Sequence, residues 1–179
     1  MQPIVLVPLL PVPEEIVYSL VSPLASVFHT SVSVDAHVDG IIDTAFDSSR
    51  GQFNSTKLIQ FLLSRYGGSN SKVLGITSVD LFVPVLTYVF GEAQLNGIAG
   101  VMSVFRYDES LYGMEPNPVL TFERSVKEAI HELGHTYGLI HCKKYECSMH
   151  ASTTAEDVDM KGTGLCAECF NTIDASSLQ

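Results

Sequence analysis

The chain has 179 residues, enough for one domain with its own core and too few for two. Hydrophobic residues make up 46% and charged residues 17%, which excludes a disordered composition. With 20 Asp and Glu against 10 Lys and Arg the net charge is −10, and the few basic residues are scattered, so nucleic-acid binding is not expected.

The apolar N-terminus lacks the cationic start of a signal peptide, and Pro3, Pro8, Pro11 and Pro13 interrupt it. No apolar run approaches the roughly 20 residues that span a bilayer. A cytoplasmic protein without a membrane partner is expected. Residues 4–10 read as a short buried strand. Residues 14–28 have helical apolar spacing despite Pro23. Residues 30–38 alternate (Val32, Val34, Ala36, Val38), as a half-buried strand does. Asn54-Ser-Thr opens a helix with Leu58, Ile59, Leu62 and Leu63 on one face, and Gly67-Gly68 ends it. Residues 73–83 are strand-like. Residues 88–93 and 98–105 flank Asn96-Gly97, a hairpin signal. A helix is expected from Asn117-Pro118 to Tyr137, with Pro118 in its first turn. After Gly138 apolar periodicity dissolves, and a segment of this kind builds little core unless a metal clips it.

The centre of the chemistry is His131-Glu-Leu-Gly-His135-Thr-Tyr-Gly138-Leu-Ile-His141. Residues four apart share a helix face, so His131 and His135 can offer two nitrogens to one ion. Val126, Ile130, Leu133 and Tyr137 form the opposite, apolar stripe. Gly138 can take a backbone turn closed to most residues, which swings His141 back toward the same ion. Three His ligands leave the fourth position of a tetrahedral zinc open, as in a catalytic site. Glu132 is placed to act as general base toward water activated by that zinc. In a chain of this composition HExxH arises by chance roughly once in a hundred; adding the glycine and third histidine makes it roughly three in 100,000. Structural histidines on one helix are therefore a poor rival.

All four cysteines lie between residues 142 and 169. Cys142 and Cys147 bracket four residues, Cys166 and Cys169 bracket two, and 18 residues separate the pairs. The spacing suits a closed four-cysteine structural zinc site. Free buried cysteines and two disulfides are the alternatives.

The extended histidine motif resembles that of the metzincin metallopeptidases, and Met149, eight residues after His141, matches their Met-turn. A lone methionine is also common in an ordinary core. With Cys142, Cys147-Ser-Met149 and Cys166-Ala-Glu-Cys169 following directly, the chain looks like an archaemetzincin. The resemblance implies an α/β fold in one compact domain over 1–179. Residues 1–138 would form a mixed, mostly parallel twisted sheet with packed helices and an antiparallel edge strand. Residues 139–179 would carry the Met-turn and the cysteine clasp. It also implies two zinc ions per chain, one catalytic and one structural, and an aminopeptidase-like or general peptidase role on peptides or unfolded chains. The downstream tyrosine that assists some metzincins is not evident after Met149; Tyr137, Tyr145 and His150 are substitutes, against ordinary packing or surface roles.

In such enzymes an antiparallel edge strand pairs with extended peptide. Residues 88–93 resemble it, unless they form an ordinary hairpin. Gly91 suits a bulge or close backbone approach there, and Glu92 could meet a substrate amine or simply be exposed. The zinc peptidase reading competes with a zinc- or protein-binding module of little turnover, and with a zinc amidohydrolase acting on a non-peptide amide.

Overall fold

In β1 (Ile4–Pro8) successive side chains point to opposite faces of the sheet, and both sets are apolar. Ile4 and Leu6 enter one core, while Val7 enters another together with Leu9. A strand buried on both faces belongs inside a sheet covered on both sides. The computed structural model describes residues 1–9, 11–38 and 40–176; Leu10 and residues 177–179, the ends of two expected segments, lie outside the described residues. The helix expected over 14–28 is two, α1 (Glu14–Ser19) and α2 (Val21–Phe28), joined at Leu20. Pro23 is the third residue of α2, in a first turn where its missing N–H costs nothing; inside one continuous helix its ring would strike the carbonyl four residues back. The strand expected over 30–38 shrinks to β2 (Val32–Val34), with one further bridge at Val38.

α3 (Ile41–Ala45), β3 (Phe46–Asp47) and β4 (Gln52–Asn54) lead into α4 (Ser55–Tyr66). Asn54 caps α4 by accepting from the Lys57 amide at 3.1 Å, and Gly67 ends the helix, as expected. The strand expected over 73–83 is two: β5 (Lys72–Thr77) and β6 (Leu81–Phe82), in different sheets. Between them Ser78 donates its amide to the Pro11 carbonyl, and Arg106 grips Asp80 through two bonds of 2.7 Å. The expected hairpin is present as β7 (Gly91–Ala93) and β8 (Ala99–Ser103). Its left-handed residue is Asn96, at φ 53°. The long helix is α5 (Pro118–Thr136), capped by Asn117.

Two short helices in the last 41 residues, α6 (Ala155–Asp159) and α7 (Ala167–Ser176), have no counterpart in the sequence reading. Five residues make too few turns to show a period, although Thr154 and Asp157 form a complete capping box. Leu139, Met149, Val158 and Ile173 join the main core, so this segment contributes more apolar packing than expected.

The principal sheet has the order β2-β1-β5-β8-β7, parallel throughout except for β7, which runs antiparallel at the edge. β3, β4 and β6 form a small second sheet. Residues of α1, α2 and α5 share one core with Leu6, Leu74 and Met102; residues of α3 and α4 share the other with Val7, Val73 and Val101. The expected α/β architecture, with a mostly parallel sheet and an antiparallel edge strand, is the one observed. α5 packs against β7 and β8, which brings its polar face under the sheet edge.

Candidate active site

Val126, Ile130 and Leu133 are at most 3% exposed and anchor α5 in the core. The opposite face carries His131 and His135, one turn apart. Each ring is oriented by a backbone carbonyl: His131 Nδ1 donates to Ser148 at 2.8 Å and His135 Nδ1 to Leu139 at 2.7 Å. A neutral imidazole with its proton on Nδ1 has a lone pair on Nε2. The two Nε2 atoms face each other at 3.0 Å. Two lone pairs at that range repel unless a cation lies between them. Zn–N bonds of about 2.05 Å give a tetrahedral edge of about 3.3 Å, so the pair fits zinc.

α5 stops where the motif requires. Gly138 turns at φ 95°, its amide donating to His135 O and that of Leu139 to Gly134 O. The chain then returns, and the His141 ring sits 5.2 Å from His131 and 5.0 Å from His135. One nitrogen of each ring lies within 4.8 Å of the other two. His131 is buried and His141 exposed, so the cluster is closed behind and open in front. Burial, and then the Lys161 charge, hold the His131 pKa well below the imidazole range. Burial also lowers those of His135 and His141. The lowering favours the neutral imidazole, the form that binds metal.

Glu132 is 4% exposed, and its Oε2 has no hydrogen-bond partner among the described residues. Burial and the neighbouring Glu128 carboxylate push its pKa well above the usual range, which a bound cation would offset. Gly91 provides the close approach expected of it: a Cβ there would stand 2.6 Å from Glu132 Oε1. Glu92 is neither exposed nor free. Its carboxylate accepts from Ser55 Oγ at 2.5 Å and Thr56 Oγ1 at 3.0 Å, at the start of α4. Met149 is fully buried against Gly134 and Leu139, beneath the histidine helix.

The four cysteines also converge. Cys142 and Cys166 Sγ are 3.8 Å apart, as are Cys147 and Cys169 Sγ, and none is in a disulfide. Zn–S bonds of about 2.3 Å give a tetrahedral edge of about 3.8 Å. Burial works against the Cys166 thiolate, but the Cys169 amide and the neighbouring thiols outweigh it and bring the pKa to about 7. The Cys142 amide donates to Met149 O at 2.8 Å, and His150 Nδ1 to Cys142 O at 2.8 Å, tying the clasp to the Met149 turn.

A cavity of about 460 Å³ lies in front of the histidines, beside β7. None of the three candidates for the missing tyrosine borders it. The Tyr137 hydroxyl donates to Gln2 O at 2.7 Å on the far side of α5, and Tyr145 is exposed and packs its ring, tilted, against His150. Sequence reasoning missed Glu128, Ser152 and Lys161, which do border the cavity. Glu128 was legible as the residue one turn before Glu132; Ser152 and Lys161 carry no local signal.

The profile of Peptidase family M54 matches residues 25–175. The chain belongs to Peptidase family M54. An archaemetzincin of Methanocaldococcus jannaschii is 42% identical over 126 residues, 70% of this chain and 68% of that one. One from Haloquadratum walsbyi is 38% identical over 168 residues, covering 92% and 95%. Among solved structures, the archaemetzincin of Methanopyrus kandleri superposes with a TM-score of 0.85 at 32% identity, covering 99% of this chain and 96% of that one. That of Archaeoglobus fulgidus, in complex with malonate, gives 0.83 at 34% identity over 96% and 99%. The chain is thus a zinc metallopeptidase of the archaemetzincin kind, as the motifs led us to expect. No helix among the described residues is long and apolar enough to cross a membrane.

Proposed function

We propose that His131, His135 and His141 hold a catalytic zinc ion, that Cys142, Cys147, Cys166 and Cys169 hold a second, structural one, and that Glu132 is the general base of peptide hydrolysis. The observation that carries this reading is the pair of Nε2 lone pairs 3.0 Å apart, each fixed by an Nδ1–H bond to a carbonyl. Zinc, when bound, supplies Lewis acidity that polarises a carbonyl and makes water nucleophilic near neutral pH. Glu132 takes the proton of the attacking water and passes it to the departing amine. The substrate is an extended peptide or unfolded segment that adds to the outer edge of β7, whose ladder partner among the described residues is β8 on the inner side. Met149 cushions the histidine helix from below, and the clasp holds the chain just after His141. A cytoplasmic setting suits four unpaired thiols.

Elemental analysis of protein purified without chelators should approach two zinc ions per chain. One zinc, with all four cysteines alkylated in the folded protein, would remove the clasp from this reading. Glu132→Ala should keep both ions and the fold while hydrolysis falls by about 100-fold or more. His135→Ala should lose the catalytic ion. If Glu132→Ala leaves hydrolysis unchanged the base is another group, and if it strips the zinc Glu132 is a ligand.

A further inference from the structure

The hydrolysis proposed above leaves a buried cation beside its cavity unused. Lys161 is 5% exposed and borders the same cavity as His131 and Glu132. Burying an ammonium is costly unless it is paired or put to use. Its Nζ donates to the Ser148 carbonyl over a long 3.3 Å, and an ammonium has three protons to give. Its field reaches all three imidazoles and both buried carboxylates, Glu128 and Glu132.

The backbone on either side of Lys161 is fixed. Two residues before it, Asp159 is gripped by the buried Arg124 at 2.8 and 2.7 Å, and its carbonyl accepts from Lys127 Nζ at 3.2 Å. One residue after it, Gly162 accepts from Ser148 Oγ at 2.9 Å and donates to Glu146 O at 2.9 Å. The ammonium is therefore held in the cavity wall by α5 on one side and by the Met149 turn on the other.

Water adding to an amide forms a C–O bond, sends the carbonyl π pair onto the oxygen and gives up its proton to Glu132. The C–N bond then breaks as the amine takes that proton. The oxygen is negative in between, and donors preorganised around it favour that state. Among the described residues, Lys161 is the only Lys or Arg bordering the cavity, and the only hydroxyl there is that of Ser152. We propose that Lys161 is a catalytic residue: its ammonium donates to the carbonyl oxygen of the bond being cut and stabilises the tetrahedral, negatively charged state over the planar amide. Glu128 balances the ammonium between turnovers. The role rests on the peptidase reading, with a cation preferred over the neutral Ser152 hydroxyl because the charge to be met is a full one.

The test is calorimetry on zinc-loaded protein with two ligands. One is a pentapeptide of alanine and leucine, chosen for the apolar rim of Leu86, Leu95 and Ile140, with a phosphinate in place of one amide. The other is the parent peptide, measured in the Glu132→Ala background so that it is not cut. Lys161→Met should weaken the phosphinic peptide by about 100-fold and the parent by less than about threefold, at unchanged zinc content. Ser152→Ala should change neither. If Glu128, left without its counter-charge, unfolds Lys161→Met, the double variant with Glu128→Gln carries the same comparison. Equal loss for both ligands, no loss, loss of zinc, or a selective loss in Ser152→Ala instead would each overturn the assignment. Fully zinc-loaded protein with Lys161 intact that binds neither the phosphinic peptide as wild type nor the parent as Glu132→Ala removes the peptidase reading, and this role with it.

Discussion

Gly91 and Glu132 lie on different elements, yet the strand runs so close to the helix that a methyl at Gly91 would stand 2.6 Å from Oε1 and 2.7 Å from Cγ of Glu132. That approach puts the carboxylate directly beneath the strand proposed to bind peptide. The carboxylate is buried, so it cannot swing into solvent to make room. Gly91→Ala should therefore slow hydrolysis and lower stability by about 1–3 kcal/mol through overpacking. In a Glu132→Ala background most of that penalty should vanish, because the atoms in the way are gone. Urea midpoints of the four proteins give the coupling, expected at about 1 kcal/mol or more. An equal penalty in both backgrounds would show that the strain lies elsewhere.

Among the elements, α5 and α6 are joined by Arg124, whose side chain is 4% exposed. It donates to Asp159 at 2.8 and 2.7 Å, to the Tyr107 carbonyl at 3.2 Å and to Glu109. Removing the cation strands two partly buried carboxylates. Arg124→Met should cost about 3–5 kcal/mol, seen as a lowered urea midpoint. Replacing Asp159 and Glu109 by Asn and Gln in the same chain should recover part of that. At the other end of α5, Lys72 Nζ donates to Thr136 O at 2.7 Å and Gly97 O at 2.6 Å. It meets the negative end of the helix and ties it to the β7–β8 turn. Lys72→Met should cost about 1–3 kcal/mol, and thermal melts that match wild type would show that the capping bonds are not needed.

For the molecule as a whole, the adjacency of His141 and Cys142 couples the two proposed metal sites. Neighbouring Cα atoms are about 3.8 Å apart and the two side-chain reaches add roughly 10 Å, so the ions should lie within about 15 Å of each other. Anomalous scattering at the zinc edge would measure this, and a larger separation would refute the ligand assignment. Cys142 and the turn around Met149 share hydrogen bonds, and the Ser148 carbonyl of that turn orients His131. The double change Cys166→Ser, Cys169→Ser should empty the clasp and also reduce occupancy at the histidines. Full catalytic occupancy in that variant, read by elemental analysis, would show the sites to be independent.

The sequence by itself determined what is local. Four-residue spacing on one helix set His131 and His135 side by side, and Gly138 was readable as the residue that ends α5 and returns the chain toward them. Asn54 and Asn117 caps, the hairpin of β7 and β8 and the paired cysteine spacings were legible for the same reason: each depends on neighbours a few residues away. What the tertiary structure decided is set by contacts distant in the chain. Residues 73–83 divide between two sheets because Arg106 and Pro11 hold the chain between them, and no pattern within those residues records that. Tyr137 fitted both the core stripe and a role at the site by its position, and packing turns it to Gln2, while Glu92 is held by hydroxyls of α4. Lys161 reached the cavity only because Arg124, 37 positions earlier in the chain, clamps the helix that precedes it. A buried lysine looks like any surface lysine in a sequence; only the packing around it shows that it borders the cavity.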